Sequence, residues 1–417
     1  MTPTFSDSTR VFARIGLLSF GGPAAQIAVM HKELVEERPW LSEEQFLSAL
    51  SFCMLLPGPE AMQLATYAGW RLHGVRGGLM AGALFVIPGA LVVLALAIFY
   101  ALYGNVPLVE ALFLGVKAAV VVIVIQALLK VAKRALKHRA AWAIAAASFV
   151  SIFFLALPYP LIVAAAALAG VVFLPKQSVP PVAITQPKSA HPARTIAIWG
   201  SLWLFPLLLL HLTGAKLLTS IGLFFSKLAV VTFGGAYAVL AYMTQEVVVQ
   251  KGWISTATMM DGLGLAETTP GPLILVTEFV GFQAAFNAGG LWLGIAGAIV
   301  ALWTTFIPCF LWIFTAAPYL AQISSRPRLA AALSGITAAV VGVIFNLSIW
   351  FALHVVFERV TPTSLGPIHL LTPDLHSLNW SAAALSTFAA LLMLRLNVGM
   401  GKTLLIVAFA GLGLSFL

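Results

Sequence analysis

Charged side chains are scarce: Asp, Glu, Lys and Arg together make up 9% of the 417 residues, against about a quarter in ordinary globular domains. A water-soluble chain of this size needs several times as many charges to cover its surface, so a soluble enzyme or binding domain is excluded. Cysteine is nearly absent. Cys53 and Cys309 stand alone in apolar runs without Cys-x-x-Cys spacing, which points to small core residues rather than a disulfide, a metal site or redox chemistry. No nucleotide-binding glycine loop, zinc motif or nucleophile constellation occurs, so no enzyme, direct ATP drive, metal or cofactor is expected. Met1 to Arg10 hold no apolar stretch and no small-residue cleavage site, and read as a cytoplasmic N-terminus rather than a removable signal peptide.

What the chain has instead is apolar surface, with 61% hydrophobic residues, which a lipid bilayer solvates on the outside as well as the inside. The expected fold is an all-α integral membrane protein. Apolar runs of helix length fall at about 11–30, 43–69, 77–103, 107–130, 140–156 and 159–175. A polar stretch over 176–194, with Pro180, Pro181, Pro187 and Pro192, predicts a cytoplasmic linker, and one connecting span follows at 195–213. Six further runs at about 217–245, 256–285, 288–317, 327–357, 379–395 and 400–417 bring the total to thirteen. With the N-terminus in the cytoplasm, loops on that side hold 17 Lys and Arg against 4 outside, the bias that sets orientation in membranes. The net charge of +9 is thus explained without nucleic acid, and the C-terminus is expected in the periplasm.

The chain repeats itself. At an offset of 213 and without a gap, Phe20-Gly21-Gly22 matches Phe233-Gly234-Gly235, Glu33 matches Glu246, Trp40 matches Trp253, and Pro57-Gly58-Pro59 matches Pro270-Gly271-Pro272. Beyond a seven-residue insertion the offset is 220, pairing Pro88 with Pro308, Gly115 with Gly335 and Ala118-Ala119-Val120-Val121 with Ala338-Ala339-Val340-Val341. The expected units are a first six-span repeat over 11–175 and a second over 217–417. Seven spans separate their starts, so the second repeat enters the bilayer inverted, the arrangement of many secondary transporters with substrate near the midplane.

The Gly-Gly and Pro-Gly-Pro pairs lie inside apolar runs, where Pro removes a backbone donor and Gly permits positive φ, so each is expected to break its helix. Unwound backbone in a membrane is tolerated only where protein or a watery cavity satisfies it. Kinks serving tight packing are the bland alternative. Four breaks in matched pairs favour a binding site, and half-helix N-termini pointing inward suit an anion. The candidate substrate-binding residues are therefore Phe20, Gly21, Gly22, Pro57, Gly58 and Pro59, with Phe233, Gly234, Gly235, Pro270, Gly271 and Pro272. Arg14 and Lys227 occupy matched positions six residues before Phe20 and Phe233; substrate attraction and headgroup snorkelling are both open for them. Lys117, in an apolar run, either faces the cavity or pairs with Glu110. Among the few acids inside spans, Glu60 and Glu267 flank the Pro-Gly-Pro breaks and are candidates for proton coupling, whereas Asp261 reads as a neutral or paired packing residue. Glu33 and Glu246 read as loop caps or interfacial anchors. His369 and His376 share an outside loop and are a weak metal signal.

Phe20-Gly21-Gly22-Pro23, Leu55-Leu56-Pro57-Gly58-Pro59 running on to Gln63-Leu64-Ala65, Trp40, and Thr269-Pro270-Gly271-Pro272 together resemble the chromate ion transporter family in its two-copy form, over nearly the whole chain. The resemblance implies a bacterial inner-membrane exporter of chromate driven by the proton-motive force, with sulfate as a competing look-alike. Its partners would be the oxyanion, protons and the lipid bilayer, with a homodimer allowed. Ala236 stands where the first repeat has Pro23, so the two halves are not expected to contribute equally. An anion channel or a sulfate-type uptake transporter is the alternative.

Overall fold

The computed structural model describes residues 3–20, 22–104, 106–175, 191–233, 236–324, 326–366 and 368–416. Of the described residues, 82% are helical. Among the described residues the helices are, in chain order, α1 (Phe5–Leu18), α2 (Gly22–His31), α3 (Glu43–Cys53), α4 (Glu60–Tyr103), α5 (Pro107–Ala135), α6 (Arg139–Phe153), α7 (Tyr159–Phe173) and α8 (Pro192–Leu212). They continue with α9 (Lys216–Val231), α10 (Ala236–Thr244), α11 (Thr256–Thr268), α12 (Val276–Ala316), α13 (Leu320–Ser324), α14 (Pro327–Val356), α15 (Trp380–Ala390) and α16 (Met400–Leu414). Most of the expected linker, 176–190, lies outside the described residues, and its end is already the first turn of α8, where Pro192 takes the position whose missing N–H costs nothing.

Local sequence explains the starts and stops. Thr4 caps α1 by accepting the Asp7 N–H, and Ser42 with Gln45 forms a reciprocal capping box on α3. The continuous stretch of α4 contains His73 (φ −137°) and Gly74 (φ +62°), after which the helix resumes. Gly69 and Gly77 then lie backbone against backbone, so α4 is a tight helical hairpin that a side chain at either glycine would block. The same pair of conformations recurs in α12 at Gly289 (φ −162°) and Gly290 (φ +77°), with Gly281 against Gly297. A π-helical turn spans Lys32–Glu36, and another spans Gln245–Gln250 at the repeat offset.

Among the described residues five stretches are long and apolar enough to cross a membrane: Glu60–Tyr103, Pro107–Ala135, Pro192–Leu212, Leu273–Tyr319 and Pro327–Val356. The thirteen expected spans do not map onto thirteen continuous helices. The runs 11–30, 43–69, 217–245 and 256–285 each contain two helices or half-helices, divided where Gly and Pro interrupt them.

Two compact units form, and each draws on both halves of the sequence. The first comprises Met1–Ile98, Gln177–Ala236 and Thr269–Ala330. In it α12 packs along α8 and α9, α13 meets α3, and Trp203 on α8 donates its indole N–H to Ser226 Oγ on α9 at 3.0 Å. The second comprises Phe99–Lys176, Tyr237–Thr268 and Ala331–Leu417. Its axis is α5, packed by α11, α15 and α16 around Ala118, Ala119, Val122 and Ile123. Gly115 lets α5 approach the Val407 carbonyl of α16.

One element departs from an all-helical fold. Val360–Leu365 (β1) and Ile368–Pro373 (β2) form an antiparallel hairpin, with Val360 opposite Pro373 and Leu365 opposite Ile368. Alternating Thr361 and Thr363 bond across the strands to Thr372, a β-branched pattern that the expectation of a plain loop passed over.

At the loop end of α2, His31 meets Glu43 Oε2 at 2.6 Å and Glu36 Oε1 at 3.1 Å. The hydrogen bond to Glu43 outweighs desolvation, and with the charge of Glu43 and the bond and charge of Glu36 it raises the His31 pKa above its ordinary value. A raised folded-state pKa contributes stability that is full below the unfolded value and disappears as pH rises through the folded one. The thermal midpoint of the purified protein should therefore fall more between mildly acidic and mildly alkaline buffer than that of His31→Gln, as read by a melting curve in detergent.

Candidate functional site

The breaks in the first unit are tied to one another crosswise. α1 ends at Leu18 and α2 begins at Gly22, whose φ is +80°; α9 ends at Val231 and α10 begins at Ala236. The matched hydroxyls at these ends fold back on their own helices: Ser19 Oγ donates to the Ile15 carbonyl at 2.6 Å, and Thr232 Oγ1 to the Leu228 carbonyl at 2.5 Å. Their backbone carbonyls are free of helical partners and accept instead from the Pro-Gly-Pro turns. Gly58 donates its N–H to the Thr232 carbonyl at 2.9 Å, and Gly271 donates to the Ser19 carbonyl at 2.8 Å. Each bond joins a turn of one sequence half to the broken helix of the other.

Only glycine suits these turns. Gly58 and Gly271 have φ of +119° and +89°, a region costly to residues with a Cβ. A Cβ at Gly58 would stand 2.8 Å from Gln63 Nε2 and 3.0 Å from Cys309 Sγ, and one at Gly271 would stand 2.9 Å from Leu275 Cδ1. Two buried carboxamides complete the arrangement. Gln26 donates to the Gly271 carbonyl and Gln63 to the Pro57 carbonyl, each at 2.6 Å. The Oε1 atoms of both are buried with no hydrogen-bond partner among the described residues. Pro23, Gln26, Pro59, Glu60, Ala61, Pro272, Leu273 and Ile274 line a cavity of about 20 Å³. That holds roughly one water, and a tetrahedral oxyanion enters only if the turns part.

The other candidates are placed as follows. Glu60 is the first residue of α4 and borders the cavity. Phe20 and Phe233 adjoin the breaks, Phe20 being 47% exposed. Gly21, Gly234 and Gly235 lie outside the described residues. Arg14 has its Nε 3.2 Å from Glu33 Oε1, and Arg38 reaches the other Glu33 oxygen at 2.6 Å. Glu33 is buried, so it is the centre of a charge cluster with two arginines rather than a loop cap or interfacial anchor. Lys227 lies on an exposed face of α9.

In the second unit Lys117 pairs with Asp261, Nζ to Oδ1 at 3.2 Å, and not with Glu110. Tyr100 donates its hydroxyl to Asp261 Oδ2 at 2.8 Å, so Asp261 is buried and paired on both oxygens. Glu267 accepts the Tyr237 hydroxyl at 2.8 Å, and its other oxygen is buried without a hydrogen-bond partner among the described residues. Sequence reasoning overlooked Ser19 and Thr232, although both are hydroxyl residues at the repeat offset and were legible as a pair. Gln26 left no such signal, its counterpart being Val239.

Helices broken at matched glycines and prolines, with the freed backbone groups answered inside an apolar helical fold, define an integral membrane protein built on discontinuous helices. The chain belongs to the chromate transporter family, whose description matches residues 7–171 and 219–414. It is 33% identical over 342 residues to a probable chromate transport protein of Synechococcus elongatus, covering 81% of each chain. It is 31% identical over 365 residues to the chromate transport protein of Cupriavidus metallidurans, covering 87% of this chain and 86% of that one. A chromate transport protein of Pseudomonas aeruginosa is 31% identical over 364 residues, or 85% and 82% of the two chains. No solved structure matches the chain.

Replacing Gly58 or Gly271 by Ala should cost about 1–2 kcal/mol from the positive φ alone, with the contacts to Gln63, Cys309 and Leu275 adding to it. Gly22→Ala meets no atom within 4 Å and should show only the backbone cost. Thermal melting of the three variants in detergent should therefore rank Gly22→Ala as the mildest.

Proposed function

We propose that the protein is a secondary active transporter that exports chromate, and related oxyanions such as sulfate, across the bacterial inner membrane under the proton-motive force. Two inverted repeats, 11–175 and 217–417, carry the reaction, with the N-terminus cytoplasmic and the C-terminus periplasmic. Family membership supports chromate as cargo, and the two separate stretches matched by the family support the two-copy reading. The observation that carries the mechanism is the crosswise pair of hydrogen bonds, Gly58 to Thr232 and Gly271 to Ser19. A tetrahedral dianion offers oxygens that replace these carbonyls as acceptors, so the N–H groups of Gly58 and Gly271 bind the substrate when the turns open. By their place in the repeat, Gly21, Gly22, Gly234 and Gly235, with Phe20, Phe233 and the flanking prolines, are further candidates to contact the same anion.

Helix ends supply only about half a charge each, so a dianion needs full cations as well. The candidate cations are Arg14, now held by Glu33, and Lys227 in the first unit, and Lys117 in the second. Glu60 at the cavity wall and Glu267 beside Tyr237 take up and release the coupled proton.

Everted membrane vesicles carrying the protein should accumulate chromate when energised and lose that accumulation when an uncoupler collapses the proton gradient. Sulfate in excess should compete. Flux that runs downhill at the same rate with and without the gradient indicates a channel and overturns the export mechanism.

A further inference from the structure

A lysine in the apolar interior of a membrane protein needs a counter-charge, and Lys117 has one whose geometry resembles that of a bound anion. Its ammonium is 3.2 Å from Asp261 Oδ1, while Tyr100 holds Oδ2 at 2.8 Å. The Asp261 side chain is 4% exposed and the Lys117 side chain 21% exposed, so the pair is approached from the lysine side. An ammonium has three donors, and the carboxylate presents it with negative oxygens of the kind a tetrahedral oxyanion carries. Asp261 and an incoming dianion therefore compete for one cation.

Displacement has a consequence for protons. Were an oxyanion to take Lys117, Asp261 would be left as a buried charge beside a dianion, with only the Tyr100 hydroxyl to answer it. The other charged groups in the neighbourhood do not relieve this. Glu110, on the same helix as Lys117, carries the same sign and acts on Asp261 unfavourably. Lys402, on the neighbouring α16, is exposed. Protonation from water resolves the conflict: Asp261 becomes neutral, keeps an oxygen for Tyr100, and gains an O–H to donate to the anion.

We infer that Lys117, Asp261 and Tyr100 form an exchange seat in which an oxyanion displaces the Asp261 carboxylate from Lys117 and Asp261 takes up one proton for each anion seated. This rests on the oxyanion-transport reading and assigns the proton taken up on anion binding to Asp261, the acid that shares a cation directly, while Glu60 and Glu267 carry the coupled proton during turnover. Glu267 has a tyrosine partner and no ion pair among the described residues.

The test is chromate binding to the full-length protein in detergent, at a mildly alkaline pH where free chromate is fully deprotonated, with proton uptake followed by an indicator dye in weak buffer. Wild type should take up about one proton per chromate bound. Asp261→Asn should bind chromate at least as tightly, since the competing carboxylate is gone, and should take up almost none. Asp261→Glu should restore the uptake, which a purely structural role for Asp261 does not predict. Lys117→Gln should weaken binding by about tenfold or more, and Lys117→Arg should retain most of it. Undiminished proton uptake in Asp261→Asn, or unchanged affinity in Lys117→Gln, overturns the seat while leaving chromate transport intact. A wild type that binds no chromate overturns both.

Discussion

A polypeptide that leaves its helix inside a membrane must find partners for the backbone groups it frees, and this constraint governs the first unit. Each unpaired N–H or C=O costs several kcal/mol in hydrocarbon, so a break survives only with a partner. Here the breaks answer one another: the carbonyls stranded at Ser19 and Thr232 meet the N–H groups of Gly271 and Gly58. The positive φ of both glycines, the carboxamides of Gln26 and Gln63, and the hydroxyls folded back at Ser19 and Thr232 all maintain that exchange. Breaks satisfied internally in this way need no ligand to hold them.

Charge obeys the same constraint. Glu33 lies between Arg14 and Arg38 in the first unit, and Asp261 between Lys117 and Tyr100 in the second. Breaking such a pair by removing one partner leaves an uncompensated buried charge, whereas exchanging a partner for an ion of like sign does not. Buried pairs of this kind are therefore suited to ion exchange.

Much of this was legible in the sequence because it depends on residue types with strong backbone consequences. Pro57-Gly58-Pro59 and Pro270-Gly271-Pro272 announced the turns, and their offset of 213 from one repeat to the next announced that the turns form a pair. What the sequence did not disclose was partnership. Lys117 has Glu110 only seven residues away, but its counter-charge is Asp261, brought close by the packing of α5 on α11. Nor does hydropathy reveal that Gly69 meets Gly77, or that β1 and β2 pair across Gly366, since both depend on a reversal of the chain rather than on composition.

Amide hydrogen exchange at the two Pro-Gly-Pro turns, read by mass spectrometry on peptides spanning Gly58 and Gly271, bears most directly on the central claim. Both turns should be protected in the anion-free protein, and chromate should change the protection of both together. Fast exchange at either glycine without anion, or protection that chromate leaves untouched, would contradict a site closed by its own crossed hydrogen bonds.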